Sequence, residues 1–142
     1  MKFVVVGYGI QGKKREKILG KSCVGIVDIK KFSQRTYRKI EHIPLYKYES
    51  VILCVPDRLK LKFINFCIKN KKHILVEKPL IFKNPKKIKI IQKKANKNKV
   101  LLCTAYNHRF EKSLIFLKDL LQKKKLGKIY NFKLQYLNGT QK

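Results

Sequence analysis

The stretch Gly7-Tyr8-Gly9-Ile10-Gln11-Gly12 follows directly on Phe3-Val4-Val5-Val6, and that junction limits the fold more than any other part of the chain. An unbroken run of aromatic and β-branched residues reads as a strand buried on both faces. Ile10 to Leu19 then reads as a helix, ended by Gly20. A G-x-G-x-x-G spacing has chemical meaning when it joins a buried strand to a helix, as it does here. Gly7 permits the tight turn, Gly9 lets the backbone approach a pyrophosphate, and Gly12 lets the helix pack closely on the strand. The helix N-terminus adds free N–H groups and partial positive charge for the anion. A kinase-type glycine loop fits poorly, because no H-R-D or D-F-G follows.

The rest of the chain repeats the strand–helix alternation. Val24–Val27, Val51–Val55, His73–Val76 and Val100–Ala105 are short apolar runs without alternation. Arg58–Asn70 carries a broad apolar helical face. Pro85 to about Asn96 reads as a helix with proline in its first turn and Asn84 as its cap. Glu111–Lys125 places Leu114, Leu117, Leu120 and Leu121 on one helical face, and Gly127 closes it. Lys31–Lys39 is polar and reads as a candidate helix, while Pro44 leaves Ile43–Tyr48 ambiguous. Ile129–Leu137 alternates polar and apolar residues, as a strand with one open face does. The pattern predicts an α/β fold, a Rossmann-type doubly wound parallel sheet in the order 3-2-1-4-5-6. Residues 1–122 form that domain, and residues 123–142 are expected to begin a second, α+β domain.

Asp28 closes the second strand some twenty residues beyond Gly7, where a carboxylate accepts both ribose hydroxyls of an adenosine. It would repel a 2′-phosphate, which favours NAD; Lys30 and Lys31 partly offset that repulsion and keep NADP open. The 36 basic and 8 acidic residues give a formal charge of +28, which raises nucleic acid as a partner. The excess is almost all lysine, and the five arginines (Arg15, Arg35, Arg38, Arg58, Arg109) are scattered. Arginine is the better reader of bases and phosphates, so a composition rich in Lys, Ile and Asn reads instead as codon bias. Cys23, Cys54, Cys67 and Cys103 form no C-x-x-C and lack metal-ligand spacing, so they are expected to be reduced, buried thiols of a cytoplasmic protein. The short, glycine-broken apolar stretch at the start is not expected to act as a signal peptide, and no apolar run reaches membrane-spanning length.

Four segments together resemble one family. Val51–Asp57 (V-I-L-C-V-P-D) resembles a strand ending in Thr-Pro-Asn, and Lys71–Leu80 (K-K-H-I-L-V-E-K-P-L) resembles G-K-H-V-x-x-E-K-P. Ala105–Phe110 (A-Y-N-H-R-F) resembles Y-N-x-R-F, and Leu126–Phe132 (L-G-K-I-Y-N-F) is similar to the entry into a second domain's sheet. These are motifs of the glucose–fructose oxidoreductase, inositol dehydrogenase and MocA (Gfo/Idh/MocA) family, and the resemblance runs over essentially the whole chain. It implies hydride transfer between a nicotinamide cofactor and a sugar, cyclitol or related polyol. It implies a cofactor site made by Gly7, Tyr8, Gly9, Ile10, Gln11, Gly12, Asp28, Val55, Pro56, Asp57, Glu77, Lys78 and Asn107. It further implies that Lys78 hydrogen-bonds the reacting hydroxyl, and that the peptide before Pro79 is cis.

The chain departs from the family pattern where Asp57 replaces asparagine, and where Arg58, Leu59 and Lys60 follow in place of a segment bearing histidine. The family's catalytic histidine belongs to the second domain, and His42, His73 and His108 do not match it by position. A truncated or split oxidoreductase is therefore expected, its substrate domain lost or supplied by a second chain, with oligomerisation also falling to that half. Two alternatives stand beside it: a non-catalytic module that senses or sequesters a dinucleotide, and a basic nucleic-acid-binding protein.

Overall fold

A computed structural model describes residues 1–82, 84 and 86–135. The chain divides into two compact units, Met1–Tyr106 and Asn107–Lys142. The first holds β1 (Phe3–Val6), α1 (Ile10–Leu19), β2 (Cys23–Val27), β3 (Thr36–Tyr37), β4 (Ser50–Leu53), α2 (Asp57–Lys69), β5 (His73–Val76), α3 (Lys86–Lys97) and β6 (Leu102–Thr104). All six strands lie in one parallel sheet in the order β3-β2-β1-β4-β5-β6. This is the expected doubly wound order, with its switch point between β1 and β4.

The strands lack alternation because both faces of the central ones are covered. Val4, Val6, Val51, Leu53, Ile74 and Val76 face α2 and α3, where Ile64, Cys67, Ile68, Ile91 and Ala95 complete the larger core. Val5, Cys23 and Ile26 face the other side, against Leu19 and Tyr8. Each fully buried aliphatic side chain of this kind contributes about 1.5–3 kcal/mol. The second face is thinner. By register, Val5, Ile52, Leu75 and Cys103 share it. Helix α1 packs over β1 and β4, and Cys103 on the outermost strand is exposed. The expectation of four buried thiols therefore holds at Cys23 and Cys67, is met only in part at Cys54, and fails at Cys103, whose apolar neighbours mark a strand, not a covered one.

Helix boundaries follow local chemistry. Asn84 Oδ1 accepts the Lys86 N–H at 2.9 Å, the expected cap of α3. Asn70 Nδ2 donates to the Phe66 carbonyl at 2.8 Å where α2 ends. Lys31–Lys39 is not a helix. It turns through Ser33–Thr36, where the Ser33 N–H donates to Thr36 Oγ1 at 3.0 Å, and Thr36 and Tyr37 then pair with Ile26 and Val27. A strand of two residues is too short to show any period. Ile43–Tyr48 forms no strand: it holds a short 3₁₀ turn at Leu45–Lys47 and follows another at Ile40–His42.

The second unit holds a 3₁₀ turn at Asn107–Phe110 and α4 (Lys112–Gln122). His108 Nδ1 lies 2.5 Å from Glu111 Oε1. Residues 129–135 form no strand, and residues 136 and 137 of the alternating segment lie outside the described residues. Alternation defines the faces a strand would have, but pairing needs a neighbour, and no described strand pairs with this segment. Among the described residues, no helix is long and apolar enough to cross a membrane.

Candidate functional site

The carboxyl edge of the sheet gathers most of the candidate residues. Beyond the last residues of the strands the ladder continues: Gly7 N–H donates to Val27 O at 2.8 Å, Cys54 N–H to Val6 O at 2.7 Å, and Glu77 N–H to Leu53 O at 2.9 Å. The turns after β1, β2, β4 and β5 are therefore neighbours. Ligands of open α/β sheets bind at this edge, at the switch point.

Two glycines of the first turn have no room for a side chain. Gly7 has φ +88°, and a Cβ there would lie 2.5 Å from the Cys54 carbonyl oxygen. A Cβ on Gly12 would lie 2.0 Å from the Gly7 oxygen. Gly9 differs, since a Cβ there would meet nothing within 4 Å. That is the open approach a pyrophosphate needs. Helix α1 starts at Ile10 with no side-chain cap and no acidic residue in its first turn. Its first N–H groups have no intrahelical partners, so they suit an anion.

Asp28 is already oriented. Its Oδ2 accepts the Tyr8 N–H at 2.7 Å, and its Oδ1 accepts the Lys30 N–H at 2.9 Å. Each carboxylate oxygen keeps a second lone pair for a hydroxyl. A cavity of about 290 Å³ opens beside it, lined by Gly7, Ile29, Arg38, Val55, Pro56 and Arg58 among others. The Tyr8 side chain turns away along α1: its hydroxyl donates to Glu16 Oε2 at 2.6 Å, and the ring packs on Phe32. That bond to a carboxylate holds the Tyr8 phenol above its usual pKa, with burial adding to the effect. Tyr8 reaches the site through its backbone. Ile10 and Gln11 are exposed at the start of α1.

Lys78 is exposed at the end of β5, and the Lys78–Pro79 peptide is cis. Glu77 is 8% exposed. Arg15 Nε donates to Glu77 Oε1 at 2.6 Å, and its Nη2 lies 2.5 Å from the same oxygen. Glu77 thus ties β5 to α1, the helix of the glycine turn. On the opposite side, Lys60 of α2 is 2% exposed. Its ammonium donates to Glu77 O at 2.7 Å and to Pro79 O at 2.5 Å, and pairs with Asp57 Oδ1 at 2.7 Å. Asp57 therefore meets Lys60 through its side chain while remaining half open to solvent.

Neither Arg15 nor Lys60 belongs to a site motif, although helical spacing held a signal for both. Lys60 is in register with Ile64, Cys67 and Ile68 on the buried stripe of α2. Arg15 lies one turn beyond buried Gly12. Asn107 belongs to the second unit, where it opens the 3₁₀ turn. His73 accepts the Leu101 N–H through Nδ1 at 3.1 Å, a strand-end contact within the sheet.

Residues 1–106 match the GFO_IDH_MocA family, described as "Oxidoreductase family, NAD-binding Rossmann fold". The chain belongs to that family. Solved structures of similar fold include the WlbA dehydrogenase of Chromobacterium violaceum, in complex with NADH and UDP-GlcNAcA, at TM-score 0.77 and 23% identity over 92% of this chain. The scyllo-inositol dehydrogenase of Lactobacillus casei superposes at TM-score 0.75 with 17% identity over 89%. The myo-inositol 2-dehydrogenase of Lactobacillus plantarum superposes at 0.72 with 13% identity over 91%. At these identities the likeness is one of fold. The Gfo/Idh/MocA chain described here spans 42% of the length of the first two and 43% of the third. No curated protein matches it by sequence.

Proposed function

We propose that this chain is the nucleotide-binding part of an oxidoreductase that moves hydride between NAD and a sugar, cyclitol or related polyol. One observation carries the reading: an uncapped glycine turn, an oriented Asp28 and the Glu77-Lys78-Pro79 turn lie along one edge of one sheet. The residues fit the cofactor. Gly9 leaves open space for a pyrophosphate, the first N–H groups of α1 face the anion, and Asp28 takes the ribose hydroxyls. Val55 and Pro56 line the cavity beside Asp28 and border the nucleotide, and Asp57 follows them as the first residue of α2.

Bound NAD supplies the site that accepts or returns hydride. Lys78 donates a hydrogen bond to the reacting hydroxyl and lowers the cost of negative charge developing on that oxygen. Glu77 holds the strand end through Arg15 and takes no proton from substrate. The substrate domain begins after residue 122, selects the sugar and carries the oligomer contacts. The sugar nucleotide and inositols named for the similar structures support a polyhydroxylated substrate. The working compartment is the cytoplasm.

The test is a titration of the chain with NADH and with NADPH, following nicotinamide fluorescence. NADH is expected to bind more tightly, with the preference narrowed at least about tenfold in Asp28→Ala, since the repelling carboxylate is gone. Binding of neither would sink the reading.

A further inference from the structure

We infer that Lys60 is the positioning residue for Lys78, a role that rests on the proposed use of the Glu77–Pro79 turn. A lysine that is 2% exposed is a strong departure among 36 basic residues, because an ammonium is costly to bury without partners. Here the partners define the role. Two of them are the main-chain carbonyls on either side of Lys78, at Glu77 and Pro79, held at 2.7 and 2.5 Å. The third, Asp57, supplies the countercharge at 2.7 Å. Lys60 touches no other described side chain of the proposed site by hydrogen bond, so its effect on chemistry runs through the backbone of residue 78.

The geometry gives that backbone two independent anchors. Arg15 holds the Glu77 side chain from α1, and Lys60 holds the carbonyls of Glu77 and Pro79 from α2. Lys78 itself is exposed. A long, flexible side chain acts reproducibly on a substrate oxygen only if its root is fixed, and misplacement by an ångström is costly. Removing the ammonium leaves two carbonyl oxygens without their buried donor, and the turn would move to find water.

The test compares wild type with Lys60→Met, which keeps the apolar stem, and Lys60→Gln, which restores N–H donors on a shorter chain. Calorimetric titrations use NADH and ADP-ribose, the latter lacking the nicotinamide. In Lys60→Met, ADP-ribose affinity is expected to stay within about twofold, while NADH binds about tenfold weaker and its bound emission moves toward that of free NADH, with Lys60→Gln between. Equal loss of both ligands in a folded variant, or loss of neither, would overturn the positioning role. If Lys60→Met does not fold, Lys60→Gln carries the same comparison.

A second readout needs no ligand. The carbonyl ¹³C shifts of Glu77 and Pro79 should move in Lys60→Met and partly return in Lys60→Gln, while the Gly7–Gly12 amide shifts stay in place. Unmoved carbonyls would overturn the clamp. Failure of wild type to bind either nucleotide would instead overturn the functional reading, and the carbonyl shifts would still decide the clamp.

Discussion

The Gly7–Gly12 turn and the Glu77–Pro79 turn share one edge of the sheet, yet different forces shape them. The first is a matter of local backbone. Gly7 adopts a positive φ against the Cys54 carbonyl, and Gly12 lies against the Gly7 oxygen. No side chain caps the helix that follows. The second is held by long side chains from two helices: Arg15 on the Glu77 carboxylate, and Lys60 on the carbonyls around Lys78. A site for a phosphate needs bare N–H groups, which glycines leave open. The proposed presentation of Lys78 to a substrate would need a fixed root, which this charged network provides.

The contrast is most exposed to failure at Gly12. Gly12→Ala sets a Cβ 2.0 Å from the Gly7 oxygen, and backbone on both sides must shift. A loss of about 3 kcal/mol or more in urea unfolding is expected. Near-wild-type stability would show that the turn is looser than its contacts indicate.

Arg15→Met is expected next in size. It strips the partner from a carboxylate whose side chain is 11% exposed. The Arg15 side chain keeps 20% exposure, so the cost is set at about 2 kcal/mol, below the 3–5 of a fully buried pair. Adding Glu77→Gln should recover most of it, because the unpaired charge is then gone. If the double variant is no better than the single one, the pair is not what holds this turn.

Gly9→Ala should separate binding from folding. A Cβ at Gly9 meets nothing within 4 Å, and its φ of −74° suits alanine. Stability should hold or rise by about 0.4–1 kcal/mol. NADH affinity should fall about tenfold, equivalent to about 1.4 kcal/mol. Unchanged affinity would mean that the nucleotide does not approach there.

The smallest effect concerns Cys54, which lies between the two turns. Burial first and the Glu77 charge second, opposed by Arg15 and Lys60, raise its thiol pKa to about 12. Cys67 is likewise pushed up to about 12 by burial. A thiol whose folded pKa exceeds its unfolded value of 9.0 adds stability that is fully present below pH 9 and lost as pH climbs toward 12. Unfolding midpoints should accordingly be flat up to about pH 9 and then decline. At pH 8, iodoacetamide should label exposed Cys103 well before Cys54, and Glu77→Gln should modestly speed Cys54 while Gly9→Ala leaves it alone. The same Cys54 rate in all three chains would deny the link between thiol and carboxylate.

Much of the fold was legible because it is written in neighbours along the chain. The run Phe3–Val6, the glycine spacing, the end of α1 at Leu19 and β5 at His73–Val76 all appear where the residues indicated. Strand order followed from a switch point that the glycine motif marks. Where the local pattern was absent or had no partner, the expectation failed. Strand β3 has two residues, and Ile129–Leu137 carries a pattern whose pairing no described strand supplies.

The glycine turn and Asp28 were thus determined by the sequence alone, since backbone freedom and the residue closing a strand are local properties. Which lysine of so many is buried, and which arginine meets Glu77 across 62 residues of chain, only the tertiary structure decided. The reason is physical. A charged side chain in a basic chain looks the same in solvent or in a cleft until the sheet order brings its partners to it.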